Sequence, residues 1–256
     1  MKLTVIGSSG SMPAPGNPAS CYLVEAAGRR IVLDLGNGSL GELARHVSLD
    51  EVDAVLLSHL HADHCLDLCA YYVYRRYHPD GPRPPLAVHG PVGTAERLAR
   101  AYDLDEGAGM ADRFDFHEWG GAAEFEVAGL RVSLAPVLHP VPAFAIRVEY
   151  DEASLVYSGD TAACEALVVL ARGADVFLAE ASFHEGRDHH PDLHMTGRDA
   201  GEMAAKAGVG RLLLTHLPPW NDPVRSVREA RATWDGPLHL ARPGDRFVVG
   251  AGPAGG

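Results

Sequence analysis

The chain has 256 residues, 46% hydrophobic and 22% charged, a globular composition that excludes a disordered tail, a coiled coil and a collagen-like repeat. Its net charge is −12, with 34 acidic against 22 basic side chains, which argues against a general nucleic-acid binder with a basic face. No apolar run approaches the roughly 20 residues of a membrane helix, and residues 1–6 run into a polar Gly/Ser stretch rather than a signal-peptide core, so a soluble chain without an export signal is expected.

Taken in chain order, strands are expected at residues 3–6, 21–25 and 30–34, separated by Gly/Ser/Pro and Ala-Ala-Gly turns. A short helix over 40–46 precedes the apolar run 54–57, a buried strand that delivers Ser58 and His59 at its end. Residues 67–77 read as a helix, 85–89 as a strand, and 94–102 as a helix with Thr94 as its N-cap. The second half repeats the theme, with strands at 125–127, 131–135, 144–150, 154–157, 176–179, 211–214 and 246–249. Its helices fall at 163–171, 197–207 and 224–234. In the second of these, Ala200, Met203, Ala204 and Ala207 form the apolar stripe of a core-facing helix, and Thr196 with Asp199 approximates a capping box. No interior linker shows a shift in composition, so one domain over residues 1–256 is expected, with 250–256 a frayed Gly-rich tail. Strands outnumber helices in each half without regular βαβ alternation, which predicts an α/β fold of two sheets packed face to face with helices outside.

The four cysteines, Cys21, Cys65, Cys69 and Cys164, form no C-x-x-C pair and fit a reducing cytoplasm. Histidine stands out, at 14 copies. The segment His59-Leu60-His61-Ala62-Asp63-His64 puts three imidazoles and a carboxylate just after a buried strand. These groups can divide between two metal ions, His59 and His61 on one, Asp63 and His64 on the other, and zinc suits that donor set.

A His-x-His-x-Asp-His segment after a hydrophobic strand resembles the metallo-β-lactamase-fold hydrolases, and further matches follow in order. His139, read as ending a strand over 132–138, stands where that family's third-motif histidine belongs. Asp160 in Ser158-Gly159-Asp160-Thr161 is similar to the carboxylate that bridges both metals, and His216 in Leu214-Thr215-His216 resembles the final ligand. The resemblance implies an αββα sandwich of two packed mixed sheets flanked by helices. It also implies two divalent ions, zinc first and manganese as the alternative, on His59, His61, Asp63, His64, His139, Asp160 and His216. The lactamases proper carry a cysteine where this chain has Asp160, and flavin-linked di-iron relatives an acidic residue where it has His61, so neither chemistry is expected.

Similarity is greatest to the phosphodiesterase branch, the tRNA 3′-processing endonucleases (RNase Z) and their smaller relatives. Gly7-Ser-Ser-Gly-Ser-Met-Pro13 with Asn17 and Ser20 looks like their first strand and turn, and Ala179-Glu180-Ala181-Ser182-Phe183 with His194-Met195-Thr196 like their glutamate and His-x-Thr pair. The resemblance makes Glu180 the holder of His194, His194 the group that contacts the scissile phosphate, and Asp63 the residue that orients a hydroxide shared by the metals. A purely structural ion pair of Glu180 with an arginine is the competing reading. For Tyr71, Tyr74 and Tyr77 packing is favoured over base-stacking, and Trp220 is a candidate pocket wall. The tRNA-gripping arm of the nucleases would fall between His139 and Asp160, where only a hairpin's worth of chain is present. The reading that emerges is a small-phosphodiester hydrolase, resembling a bacterial group active on 3′,5′-cyclic nucleotides such as cAMP. An RNase Z-like nuclease comes second, and a thioesterase or lactonase third. A non-catalytic scaffold is disfavoured because no ligand is missing. The expected partner is a small phosphodiester; a homodimer is compatible with the reading, and neither a membrane nor a large nucleic acid is expected.

Overall fold

Alternating apolar side chains build two seven-stranded sheets. The first half of the chain supplies β1 (Lys2–Gly7), β2 (Cys21–Ala26), β3 (Arg29–Leu33), β4 (Ala54–Leu56), β5 (Leu86–Pro91) and β6 (Phe114–Trp119). The second supplies β7 (Ala123–Val127), β8 (Leu130–Pro136), β9 (Phe144–Tyr150), β10 (Ala153–Tyr157), β11 (Val176–Glu180), β12 (Leu212–Thr215), β13 (Leu238–Leu240) and β14 (Arg246–Val248). This computed structural model describes residues 1–104 and 109–250; the tail expected to fray lies, from 251 onwards, outside the described residues.

The strand orders are β14-β1-β2-β3-β4-β5-β6 and β13-β12-β11-β10-β9-β8-β7. In each sheet three antiparallel pairings give way to three parallel ones, at β3 in the first and at β10 in the second. The repeat of theme between the two halves is therefore a repeat of topology. Because side chains alternate across a strand, Val5, Val24, Ile31 and Leu33 face inward against Val132, Ile146, Val148 and Leu155 of the other sheet. Their neighbours Ile6, Leu23 and Val32 face outward.

Helices cover those outer faces. On the first sheet lie α1 (Ser39–Leu43), the four-residue α2 (Ala62–Cys65), α3 (Asp67–Tyr77) and α4 (Thr94–Ala101). On the second lie α5 (Glu165–Ala171), α6 (Gly197–Ala207) and α7 (Pro223–Arg231). The two mixed sheets flanked by helices match the expected αββα sandwich. Among the described residues no helix is long and apolar enough to cross a membrane.

Three local expectations need correction. The edge strands β6 and β13 were not expected, and β8 ends at Pro136, so His139 lies in the loop beyond, where Leu138 makes one isolated bridge to Ala162. Thr94 does not cap α4: Gly93 is the N-cap, and the Thr94 hydroxyl donates back to the Pro91 carbonyl. The box at α6 forms as expected. Asp199 N–H donates to Thr196 Oγ1 at 3.1 Å, and Thr196 N–H to Asp199 Oδ2 at 2.9 Å. This fixes how the chain leaves His194 two residues earlier.

Candidate metal centre

In an open sheet, groups that act on ligands gather beyond the carboxyl ends of parallel strands. Here β3 leads to Asp34, β4 to Ser58 and His59, β10 to Asp160 and β12 to His216, and β11 ends at Glu180. Contacts between β-sheet ends bring the seven expected ligands together as two groups sharing Asp160: His59, His61, His139 and Asp160, and Asp63, His64, Asp160 and His216. Within each group the donor atoms all lie within 4.8 Å of one another. His59 and His61 fall in one group and Asp63 and His64 in the other, as the sequence pattern suggests; the structure adds His139 to the first and His216 to the second.

The donor set fits a cation, and the geometry tests the fit. An imidazole offers a lone pair on one nitrogen only when its proton sits on the other. His64 Nδ1 lies 2.7 Å from Asp34 Oδ2, His59 Nδ1 3.1 Å from Ser58 Oγ, His139 Nδ1 2.9 Å from the Leu193 carbonyl and His216 Nδ1 2.8 Å from Ser182 Oγ. Each partner accepts that N–H, which leaves four Nε2 lone pairs turned inward; His61 presents its Nδ1. Those nitrogens crowd. His64 Nε2 is 3.1 Å from His216 Nε2, and His61 Nδ1 is 3.1 Å from His59 Nε2 and 3.2 Å from His139 Nε2. Lone pairs so close repel unless a positive charge lies between them. Asp160 Oδ1, buried and without a hydrogen-bond partner, lies 3.3 Å from His64 Nε2 and 3.4 Å from His216 Nε2.

The electrostatics agree. Burial, reinforced by neighbouring histidines, holds His59, His61 and His139 below the ordinary histidine range, in the neutral form that ligates. Burial opposes charge on Asp63, but the adjoining His216 and His64 rings outweigh it and keep the carboxylate ionised. At His64 burial is likewise outweighed, by Asp160 and Asp34, so a positive charge is favoured there. Two carboxylates around a ligating nitrogen ask for the charge a cation brings.

Sequence reasoning missed Asp34, Ser58 and Ser182. Asp34 is fully buried, at φ 56, and accepts from Ser58 N–H (2.7 Å), Ser58 Oγ (2.8 Å), Tyr157 Oη (2.7 Å) and His64 Nδ1. It fixes the His64 ring from behind. A signal for it could only have come from its position at a strand end.

Glu180 is completely buried and, among the described residues, pairs with His194 and no arginine, which goes against the competing structural reading. Its Oε1 accepts from Thr161 N–H (2.9 Å) and lies 2.7 Å from His194 Nδ1, while Oε2 accepts from Ser182 N–H (3.0 Å). Burial would lower the pKa of His194, but the Glu180 carboxylate raises it to about 9. Its ring stands 5.5 Å from that of His139 and 5.8 Å from that of His216, so it flanks both groups of donor atoms.

Gly10 in the first turn and Gly36 in the loop after β3 have a steric role. A Cβ on Gly10 would come within 2.3 Å of the His216 carbonyl, and one on Gly36 within 1.9 Å of the Asp63 carbonyl. Trp220 is 62% exposed, and it is Asn221 that turns inward, donating to the Ser182 carbonyl at 2.7 Å. Tyr71 is buried packing, as expected, whereas Tyr77 is exposed.

Two mixed sheets with a histidine–aspartate cluster at their strand ends define a metallo-hydrolase. The beta-lactamase superfamily domain matches residues 29–217, and the chain belongs to that superfamily. It is 45% identical to the uncharacterized protein Rv1339 of Mycobacterium tuberculosis, over 97% of this chain and 92% of that protein. Ribonuclease Z of Mycobacterium marinum is 32% identical over 86% of this chain and 87% of its own length. The crystal structure of the metallo-beta-lactamase fold protein YhfI from Bacillus subtilis superposes with a TM-score of 0.87 at 25% identity, covering 96% of this chain and 99% of that one. These relatives place the chain in the RNase Z-like branch of metal-dependent hydrolases.

Proposed function

We propose that this hydrolase is a phosphodiesterase acting on a small phosphodiester, best a 3′,5′-cyclic nucleotide such as cAMP. In this reading His59, His61, Asp63, His64, His139, Asp160 and His216 hold two divalent ions, zinc foremost and manganese the alternative. The observation that carries it is the pair of buried Glu180 with half-buried His194, flanking both metal-ligand groups. Expelling an alkoxide from phosphorus requires a proton at the departing oxygen, and a positioned acid contributes roughly 10²–10⁴ in rate.

Bound divalent ions would supply a nucleophile drawn from water and offset charge on the non-bridging oxygens. The chain's own groups do the rest. With Nδ1 committed to Glu180, His194 donates from Nε2. Glu180 holds that ring cationic and fixed in direction. Asp63, ionised beside His64 and His216, orients the attacking water.

Two features support a small substrate. β9 and β10 fill the chain between His139 and Asp160, with no arm to grip a folded RNA. The net charge of −12 opposes a polyanion, whose binding rests on Lys and Arg neutralising many phosphates. A second reading, an RNase Z-like nuclease, is favoured by the 32% identity to ribonuclease Z.

A hydrolysis panel of cyclic nucleotides, an aryl phosphodiester, precursor tRNA and a thioester, with Zn or Mn supplied, tests the proposal. Cyclic nucleotides should lead in kcat/KM, with a shallow dependence on salt. Efficient single-site cleavage of precursor tRNA without cyclic-nucleotide turnover would falsify it in favour of the nuclease.

A further inference from the structure

Beside the metal-ligand cluster lies a cavity of about 530 Å³, within the roughly 300–1,000 Å³ usual for small-molecule sites. His61 forms one wall of it while offering Nδ1 to the cluster, so the cavity and the cluster share a side chain. Pro91 and Val92, where β5 ends, form the second wall. Val141 and Pro142 form the third and belong to the loop that carries His139. A phosphate held at the cluster therefore has this space next to it.

The lining is apolar apart from His61 and one cation, Arg97 on α4. Among the described residues the Arg97 side chain makes one hydrogen bond, from Nε to the Leu60 carbonyl at 3.4 Å, and no ion pair. Both terminal nitrogens are thus without an acceptor among the described residues. A guanidinium only donates, so its occupant must carry acceptors. The apolar proline and valine walls around it suit a weakly polar body that carries acceptors along one edge. An acyl chain would fill the walls but leave the guanidinium unanswered.

We infer that this cavity seats the base of a purine nucleotide whose phosphate lies at the cluster, and that Arg97 reads acceptors on the base edge. The inference rests on the phosphodiesterase reading and narrows its substrate to a purine nucleoside phosphodiester. Guanine, whose O6 and N7 can take both donors of an arginine, gains more from Arg97 than adenine, which offers N7 beside a donor.

The test compares kcat/KM for cGMP, cAMP and the base-free methyl riboside 3′,5′-cyclic phosphate in wild type, Arg97→Met and Val92→Trp. Val92 is 65% exposed, so a tryptophan there fills the cavity mouth without entering the core. Wild type should prefer the purine substrates over the base-free one by about tenfold or more, the worth of one well-made hydrogen-bonded pair. In both variants that ratio should collapse towards one, and Arg97→Met should cost cGMP more than cAMP. Equal wild-type turnover of base-bearing and base-free substrates, or a ratio unmoved by either variant, overturns the assignment alone. Failure of wild type on every cyclic phosphate removes the phosphodiesterase reading, and the assignment with it.

Discussion

A histidine nitrogen serves a cation well only if something behind the ring decides where its proton sits. Asp34 does this for His64 while accepting three further hydrogen bonds, so the carboxylate cannot swing away. Replacing such a partner typically costs 10–100-fold in metal affinity. Asp34→Asn should therefore weaken metal binding by about that factor in a chelator competition, with activity largely restored at saturating metal. Activity lost beyond rescue by metal would show that Asp34 does more than position His64. Glu180 stands behind His194 in the same way, but with a proton rather than a cation at stake. His194→Ala and Glu180→Gln should each lower kcat by about 10²–10⁴ with metal content unchanged. Because the two act as one unit, the double variant should be little worse than the worse single. Losses that multiply would separate them.

At the scale of elements, the parts legible in the sequence are those whose pattern is local. The run 54–57 followed by Ser58-His59, the stripe on α6 and its Thr196/Asp199 box all carry their own signal within a few residues. β6 does not: its sequence Phe-Asp-Phe-His-Glu-Trp puts charge on an edge strand that pairs on one side only, which reads as loop. β13, three residues long, is too short to show a period. Asp34 was hidden for another reason. An aspartate after a strand is ordinary turn chemistry, and what sets this one apart is a set of partners 24 to 123 positions away. The same edge holds a titratable stack. His89 on β5 lies against His117 of β6, their rings 4.6 Å apart, with Asp115 bonded to His117. Burial, then the neighbouring His117, lowers the pKa of His89 to about 4, below the unfolded value near 6.5. Between those values the unfolded chain binds a proton that the folded chain refuses, so stability falls as pH drops from about 6.5 towards 4 and is unaffected above. His89→Phe, which can keep the stack, should narrow the Tm difference between pH 7 and pH 5. An unchanged difference would assign the acid sensitivity to other groups.

Considered as a whole, the molecule is two half-cores whose sheets meet face to face, and the cluster sits across their junction. Asp34, His59, His61, Asp63 and His64 come from the chain of the first sheet, whereas His139, Asp160, Glu180 and His216 come from that of the second. Ions held there would tie the halves together, because a site assembled from both does not exist in the unfolded chain. Without them, His59 Nε2 and His61 Nδ1, on rings that burial holds neutral, face each other at 3.1 Å beside the buried Asp160. Binding at 100-fold above Kd stabilises by about 2.7 kcal/mol. For a chain of roughly this size each kcal/mol moves Tm by about 2–4 °C, so stripping one such site should lower Tm by about 5–11 °C. His216→Ala, which removes a ligand contributed by the second sheet, should already start near the lower value and respond less to chelator. The measurement is a thermal melt of the holoprotein with and without chelator, followed by addition of Zn or Mn, which should restore the loss. A chelated protein that keeps its Tm while losing activity would show that the metals sit on one half alone, and the proposed division of ligands around Asp160 would have to be redrawn.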